Sequence, residues 1–166
     1  MTRAEDKLRT LDQLAEERAA WGQGGLTVVL ANGAFDVLHV GHVRYLAAAR
    51  ALGDRLVVAV NSDASVRASK GPQRPLVPEG ERVELLAHLW MIDRMVLFDE
   101  VSVAAVLSRL RPDIHAKGTD YQVETVPERE VVAGYGGKTA ICGDPKQHST
   151  TDVVDRILDR FGRSRS

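Results

Sequence analysis

The chain of 166 residues contains a single cysteine, Cys142. One thiol cannot form a disulfide within the chain, so a small scaffold held together by disulfides is excluded. The N-terminal stretch MTRAEDKLRTLDQLAEERAAW is charged and lacks the apolar core of a signal peptide, so we do not expect export. These two features predict a cytoplasmic protein.

Long apolar runs and an excess of one charge are also missing. No apolar run approaches the roughly 20 residues that a membrane-spanning helix needs, so we expect no membrane association. Lysine and arginine number 22 against 23 aspartates and glutamates, giving a formal net charge of -1. Such a balance creates no basic field, so a nucleic-acid partner is not expected. With 44% hydrophobic and 27% charged residues, the composition is that of a globular domain.

Short β-branched runs alternate along the chain with segments of helical periodicity. Strands are predicted at 27–30, 55–61, 94–98, 114–117 and 138–142, and helices at 4–20, 41–50, 64–68, 79–90, 101–110, 128–133 and from 153 onward. The alternation predicts an α/β fold, a Rossmann-like doubly wound parallel sheet of about five strands in a single domain. We expect an N-terminal helix and turn (1–25), which packs on the sheet or on a second subunit, a core domain (26–162) and a tail (163–166).

The stretch TVVLANGAFDVLHVGHVRYLAAAR, residues 27–50, places two histidines at the handover from the first strand to its helix. Ligands of open α/β sheets bind at the carboxyl ends of strands, and the N–H groups at a helix N-terminus attract anions. His39 and His42 are spaced to face one bound group, and Gly41 between them lets the backbone approach it closely. This pattern favours an anion site over histidines that merely cap or pack.

Zinc and a dinucleotide cofactor fit this stretch poorly. A catalytic zinc site usually needs three protein ligands, and its helical two-histidine form has i, i+4 spacing with a glutamate between. Here the spacing is i, i+3, with Val40 and Gly41 between the histidines. A Rossmann dehydrogenase would carry G-x-G-x-x-G after the first strand, and this chain carries NGAFD.

Polar residues follow other predicted strands as well. Asp63 comes after the second strand, and Lys117 precedes Gly118 and Asp120 after the fourth. Parallel strands bring these ends to one rim of the sheet.

Two loops add groups that suit phosphate. The proline-bounded loop KGPQRP carries Lys70 and Arg74, which could bind phosphate or lie in a solvated turn. Ser149-Thr150-Thr151 precede the final helix, where hydroxyls and free N–H groups suit a phosphate. Plain capping would account for one of these three hydroxyls.

The segments NGAFDVLHVGH, VNSDASVR, KGPQRP, KGTDY and STTDVV together resemble the cytidylyltransferase-like nucleotidyltransferases. Within that family they are most similar to the D-glycero-β-D-manno-heptose 1-phosphate adenylyltransferase domain, over roughly residues 26–158. The resemblance implies that ATP and the sugar 1-phosphate react to give ADP-heptose and pyrophosphate. It also implies a homodimer, and Mg²⁺ bound mostly by the ATP phosphates and water.

The resemblance also implies a role for each matching residue. His39 and His42 would stabilise the transition state at the α-phosphate, and Lys70 would neutralise phosphate charge. The residues expected to contact the nucleotide are Asn32, Gly33, Ala34, Phe35, Gly41, His42, Lys117, Gly118, Asp120, Lys146, His148, Ser149, Thr150 and Thr151. The residues expected to contact the acceptor are Asp36, Asp63, Arg74 and Arg82, where a surface ion pair is the alternative for Arg82.

The chain departs from the family pattern near the last helix and in KGTDY. Heptose adenylyltransferases commonly have Gly-Arg before the serine, whereas Gln147-His148 stand here. The glycerol-phosphate cytidylyltransferases carry an arginine where this chain has Asp144, and Thr119 replaces a glycine. A cation expected near the triphosphate is therefore missing, and Lys146 and His148 are the candidates to replace it, with Lys70 and Arg82 next.

Two other functions stay open. One is the same chemistry with CTP and glycerol 3-phosphate or another polyol phosphate. The other is a nucleotide-binding regulatory module without turnover, against which the intact histidine pair argues. The remaining candidates, His88, His115 and Cys142, are predicted to be structural, partly buried side chains.

Overall fold

The computed structural model describes residues 4–145 and 148–162. The strands are β1 Val28–Gly33, β2 Arg55–Asn61, β3 Arg94–Phe98, β4 Ile114–Lys117 and β5 Lys138–Ile141. The helices are α1 Ala4–Lys7, α2 Leu11–Gln23, α3 Val40–Arg50, α4 Asp63–Lys70, α5 Glu79–Ala87, α6 Ala104–Leu110, α7 Arg129–Gly134 and α8 Thr150–Phe161, with a 3₁₀ turn at Val123–Thr125. Within the described ranges, no helix has both the length and the apolar character to cross a membrane.

The five strands form one parallel sheet in the order β3-β2-β1-β4-β5. The chain winds outward from β1 to β3 and then returns to place β4 on the other side of β1. This reversal is a topological switch point, and the crevice at the carboxyl ends of β1 and β4 is where such sheets bind ligands. The predicted Rossmann-like doubly wound sheet of about five strands is confirmed.

Alternate residues of the central strands supply the two halves of the core. On one face, Val29 packs with Leu46 of α3. On the other face, Leu30 packs with Leu14 of α2 and Leu107 of α6. Because helices cover both faces, the central strands appear in the sequence as continuous apolar runs instead of alternating ones.

The single helix predicted for residues 4–20 is divided into α1 and α2. Leu8 pairs with Met95 beside β3, and the N–H of Arg9 donates to the Met95 carbonyl at 2.9 Å. Thr10 then caps α2 through a reciprocal pair of hydrogen bonds with Gln13. The break was not predicted because its cause, the pairing of Leu8 with a distant strand, leaves no local sequence pattern. With Leu14 fully buried, the segment packs on the sheet.

Two predicted helices are shorter in the structure than in the sequence pattern. The helix predicted to reach Trp90 ends at Ala87, with His88 as its C-cap. Trp90 lies beyond the end of the helix and is 79% exposed. The helix predicted from Val101 starts at Ala104, and Val101 is 62% exposed.

A buried arginine joins the carboxyl ends of β1 and β2. Arg82 on α5 is only 1% exposed, and its Nη1 donates to the carbonyls of Ala34 and Asn61. Its Nε donates to the Val77 carbonyl at 3.0 Å, and its Nη2 forms an ion pair with Asp63 at 2.8 Å. One guanidinium thereby fixes the loops that follow β1 and β2 to the segment that leads into α5.

We expect Arg82→Leu to destabilise the fold by about 3–5 kcal/mol, because it leaves a carboxylate and several carbonyls without their donor. Urea unfolding measures the loss. The control is Arg109→Leu, since Arg109 pairs with Asp12 at 3.0 Å on the surface with 53% and 85% of the two side chains exposed. That exposed pair should contribute less than about 1 kcal/mol. Equal losses in the two variants would show that the buried network is not a structural anchor.

Candidate active site

A cavity of about 390 Å³ lies at the switch point, at the carboxyl ends of β1 and β4. Its wall consists of residues 32–36, 117–121, 142–145 and 148–151 together with His39, Gly41, His42, Arg44, Tyr45 and Lys70. Segments far apart in the sequence therefore meet here, as the strand-end pattern predicts. The predicted nucleotide contacts all lie in this wall, apart from Lys146, which is outside the described residues. Asp63, Arg74 and Arg82 are not part of it.

The backbone between β1 and α3 adopts an unfavourable conformation. Phe35 and Val37 both have φ of 52°, in the left-handed region that residues with a Cβ rarely occupy. A conformation of this kind costs about 1–3 kcal/mol for each residue and persists only where surrounding contacts enforce it. The segment that carries the histidines is thus held in place by its neighbours.

Asp36, between these two residues, supplies much of that restraint. Its carboxylate accepts the backbone N–H groups of residues 76 and 77 at 3.0 Å and the Arg74 Nη1 at 2.9 Å. Burial by itself would raise the pKa of Asp36, but these hydrogen bonds and the Arg74 charge hold it below its usual range. The carboxylate therefore stays ionised and fastens the 70–77 loop to the motif.

The residues predicted to contact the acceptor take part in this network and in the one around Arg82. The Arg74 guanidinium holds the Asp36 carboxylate and does not reach the cavity wall. Arg82 and Asp63 pair with each other, and Arg82 has almost no exposed surface with which to contact a substrate. The polar groups of these three residues hold the loops together, and their contact with the acceptor stays a prediction. The suggestion that Arg82 forms a surface ion pair is wrong, because its side chain is buried.

The Nδ1 atoms of the two histidines accept backbone N–H groups at the start of α3. His39 is the N-cap, and its Nδ1 accepts the N–H of Gly41 at 3.1 Å. The N–H of His39 donates to His42 Nδ1 at 3.3 Å. The rings are stacked, with centroids 3.8 Å apart. Because each Nδ1 accepts, each neutral ring carries its proton on Nε2, so the pair offers two Nε2–H donors.

Both rings are held in the neutral form. Burial, together with the adjacent His39 and Lys70, lowers the pKa of His42 to about 4. Burial also lowers the pKa of His39, with His148 adding to the effect. Two stacked imidazolium ions would repel each other. At neutral pH the pair therefore supplies hydrogen bonds without charge, and positive charge must come from nearby side chains such as Lys70.

The N-terminus of α8 forms another part of the wall, but two of its hydroxyls are already engaged. The Ser149 Oγ accepts the N–H of Asp152 at 3.1 Å as an N-cap. The Thr150 Oγ1 donates to the Asp36 carbonyl at 2.6 Å and so docks α8 against the motif. The Thr150 hydrogen is thus already donated, whereas the Ser149 hydroxyl accepts and keeps its own hydrogen for a ligand. Phosphate binding by these two residues stays a prediction. The donors that remain for an anion are N–H groups of the first turn and the hydroxyls of Ser149 and Thr151.

The part of the wall that follows β4 contains a cation that is largely withdrawn from water. Lys117 is 8% exposed, and its Nζ lies 4.6 Å from the centroid of the Tyr121 ring. Burial lowers the pKa of Lys117, and the charge of Glu128 opposes the shift. Next to it, the Tyr45 hydroxyl donates to the Ala116 carbonyl at 2.7 Å. This side of the cavity combines an aromatic face with a desolvated positive charge.

The three residues predicted to be structural differ in their surroundings. His88 is exposed, not partly buried, and its Nδ1 lies 2.8 Å from the Glu84 carbonyl at the end of α5. His115 is fully buried, with Nε2 3.0 Å from Asn32 Oδ1. Cys142 packs against the core and also lines the cavity, and burial raises the pKa of its thiol to about 11.

Arg44 is a cation in the cavity wall that the sequence pattern did not single out. Its Nη1 forms an ion pair with Asp144 at 2.8 Å, with 50% and 57% of the two side chains exposed. The Thr119 hydroxyl donates to the Asp144 carbonyl at 2.7 Å, so two of the departures from the family pattern are in contact. The available signal was its spacing, since Arg44 follows Gly41 by three residues and shares its helix face.

Comparisons with known sequences agree with this geometry. A family model described as cytidylyltransferase-like matches residues 30–156. The protein named Bifunctional protein HldE from Syntrophotalea carbinolica is 47% identical over 157 residues, which are 95% of this chain and 32% of that protein. The protein of the same name from Geobacter sulfurreducens is 46% identical over 156 residues, 94% of this chain and 32% of its own length. The chain thus spans about a third of these relatives.

Solved structures share the fold. The lipopolysaccharide core biosynthesis protein from Thermoplasma volcanium aligns with a TM-score of 0.63 and 31% identity, over 74% of this chain and 100% of that one. The pantoate-β-alanine ligase from Francisella tularensis aligns with a TM-score of 0.59 over 96% of this chain and 80% of that one. At 13% identity, the second match is informative about the fold alone.

We expect Gly41→Ala to reduce kcat by at least about tenfold, because it displaces a histidine that must be held accurately. A Cβ at this position would lie 2.9 Å from His39 Cε1 and 3.3 Å from His148 Cβ. The matched control is Gly80→Ala in α5, where a Cβ meets nothing within 4 Å. Steady-state kinetics of both variants check this, and an active Gly41→Ala would show that the His39 position is unimportant.

We expect Arg44→Ala to weaken ATP binding about tenfold, because an exposed ion pair is worth little and the arginine is free to exchange Asp144 for a phosphate. Calorimetric titration with ATP measures the change. Arg67→Ala is the control, since Arg67 is exposed and outside the cavity wall. Lys146→Ala belongs in the same series. If only Lys146→Ala loses affinity, Lys146 supplies the missing charge and Arg44 does not.

Proposed function

The chain belongs to the cytidylyltransferase-like family of nucleotidyltransferases, and we propose that it transfers AMP from ATP to D-glycero-β-D-manno-heptose 1-phosphate. The observation that carries the proposal is the pair of stacked, neutral imidazoles at the switch point, each with its Nε2–H available to a ligand. The match to the HldE proteins over 95% of this chain supports the choice of nucleotide and acceptor. The family predicted from the motifs is confirmed.

The reaction is a displacement at phosphorus. An oxygen of the sugar 1-phosphate attacks the α-phosphorus of ATP, the bond from that phosphorus to the bridging oxygen breaks, and pyrophosphate leaves. The protein needs no covalent role, so it acts by positioning and by stabilising charge. The Nε2–H groups of His39 and His42 donate to the α-phosphate oxygens, where negative charge builds in the transition state. Donors that are already neutral and oriented need no proton transfer to do this.

Other groups hold the leaving pyrophosphate. The free N–H groups at the start of α8 and the Thr151 hydroxyl bind the terminal phosphates. Lys70, from the end of α4, and Arg44 lie in the same wall and neutralise the charge that grows on the leaving group. Lys117 and Tyr121 then border the base and ribose, where an aromatic face is useful.

Mg²⁺ enters, in this proposal, as part of the substrate MgATP. Among the described residues, no group of three or more His, Cys, Asp or Glu side chains is placed to hold a metal ion. The carboxylate of Asp36 is committed to Arg74 and the backbone. A site of this kind fits an ion that is bound by phosphate oxygens and water, as Mg²⁺ is in many nucleotide enzymes. The ion neutralises part of the triphosphate charge.

A CTP-dependent transferase for glycerol 3-phosphate or another polyol phosphate is the alternative within the family. Both functions lack an arginine that their enzymes commonly carry, and the CTP-dependent one is the weaker choice because the similarity to the HldE proteins covers 95% of this chain. A regulatory module without turnover would have no need of two precisely oriented imidazole donors. A homodimer and a cytoplasmic location remain predictions.

A pyrophosphate-release screen tests the function. ATP, CTP, GTP and UTP are each combined with a panel of sugar and polyol phosphates in the presence of Mg²⁺. We expect release only with ATP and heptose 1-phosphate, and loss of activity when EDTA removes the metal. A preference for CTP with a polyol phosphate would replace the proposal with its alternative, and nucleotide binding without release would favour the regulatory module.

His42→Ala links that activity to the histidine pair. Removing one oriented donor should lower kcat by ~10² or more with little change in ATP affinity, because the donor acts on the transition state. His88→Ala is the matched control, since His88 is exposed at the end of α5 and should leave turnover unchanged. Near-normal turnover in His42→Ala would remove the imidazole pair from the mechanism.

A further inference from the structure

His115 is a buried polar side chain with no place in the mechanism above. It lies on β4 opposite Leu30 of β1, is 0% exposed and is not part of the cavity wall. Its Nε2 is 3.0 Å from Oδ1 of Asn32, which lies at the carboxyl end of β1 and does line the cavity. Burying an imidazole carries an energetic cost that an apolar side chain would avoid, so the contact with Asn32 is the feature that needs explanation.

The chemistry of the two groups fixes the direction of their hydrogen bond. The carboxamide oxygen of Asn32 can only accept, so the Nε2 of His115 must carry a hydrogen. Burial lowers the pKa of His115 to about 3, with Lys117 adding to the effect, so the ring is neutral and its Nδ1 is bare. Nδ1, which without a hydrogen can only accept, has no donor among the described residues.

This bond selects one orientation of the Asn32 amide. The two orientations of a carboxamide have nearly the same shape and differ only in where the oxygen and the NH₂ group lie. When the Asn32 oxygen is held toward β4, the side-chain NH₂ group is the one that remains available at the cavity wall. A hydrocarbon side chain at position 115 would let the amide turn over and present its oxygen to a phosphate.

We propose that His115 is a positioning residue that fixes the Asn32 amide as a hydrogen-bond donor to an oxygen of the bound nucleotide. The proposal rests on the nucleotide-binding part of the function proposed above. It gives a role to a residue that has no contact with the ligand. It also explains why a fully buried position on the central strand β4 holds a polar side chain.

The tautomer of His115 can be observed without any variant. In ¹⁵N-correlated NMR spectra of the nucleotide-free protein, we expect a neutral His115 with its proton on Nε2 at neutral pH. A proton on Nδ1 would reverse the hydrogen bond, turn the Asn32 amide the other way and overturn the proposal.

Two substitutions of His115 separate positioning from packing. His115→Leu keeps much of the side-chain volume but removes the donor to Asn32. In His115→Gln, the amide nitrogen can take the place of Nε2 and donate the same hydrogen bond. Calorimetric titration should show ATP affinity about tenfold lower for His115→Leu and within about threefold of wild type for His115→Gln. Melting temperatures identify any general loss of structure. Equal losses in the two variants, or no loss in His115→Leu, would contradict the proposal.

The same titration in an Asn32→Ala background completes the test. If His115 acts through Asn32, then His115→Leu should have no further effect on ATP affinity once the amide is gone. An undiminished effect would show that His115 acts by another route. A wild-type protein that binds no ATP would overturn the proposed function together with this inference, whereas a wild type that binds ATP and variants that bind equally well would overturn this inference alone.

Discussion

The buried guanidinium of Arg82 is the contact on which the geometry of the site depends. Arginine keeps its charge in a buried position and presents several donors in a rigid fork, so one side chain can bind groups from separate segments. Here it binds the carbonyl of Ala34, which follows β1, the carbonyl of Asn61, which ends β2, and the carboxylate of Asp63. A buried charge of this kind is tolerated because its hydrogen-bonding capacity is met. The strand ends are therefore fixed before any ligand arrives.

A second layer of contacts builds the site on this frame. The charged Asp36 carboxylate binds Arg74 and two backbone N–H groups, and the Asp36 carbonyl receives the Thr150 hydroxyl from α8. These contacts enforce the left-handed backbone of Phe35 and Val37 and so set the start of α3. The polar groups of Asp36, Arg74 and Thr150 thus stabilise the local structure. The imidazole Nε2–H groups and the helix N–H groups remain available to bind the ligand. Pre-formed donors of this kind suit a reaction in which charge moves between phosphate oxygens.

The sequence was sufficient for the parts of the structure that depend on local patterns. Strands 55–61, 94–98 and 114–117 were predicted with the bounds observed, because short β-branched runs there end at clear turn signals. The histidine pair was predicted at the start of α3 because its spacing is itself a local pattern. The uses of individual polar groups were not predictable in the same way. Thr150 and Asp36 are 114 residues apart, and no local pattern predicts that the Thr150 hydroxyl donates to the Asp36 carbonyl.

Arg44 and the left-handed residues escaped prediction for different reasons. An exposed arginine on a helix looks like any solvated surface charge until the fold brings Asp144 beside it. Phenylalanine and valine are residue types that ordinarily avoid positive φ, so their conformation is imposed by contacts from elsewhere in the chain. In both cases, contacts between residues far apart in the sequence determine the outcome.

The most direct test of this view of the site is a pH titration of His39 and His42 by ¹⁵N-correlated NMR. The structure predicts that both rings carry their proton on Nε2 at neutral pH and that His42 gains a second proton only near its pKa of about 4. A lowered pKa means that the neutral donor persists as the pH falls through the ordinary histidine range near 6.5. Protonation of His42 in that ordinary range, or a proton on Nδ1 of either ring, would contradict the account of two neutral, pre-oriented donors.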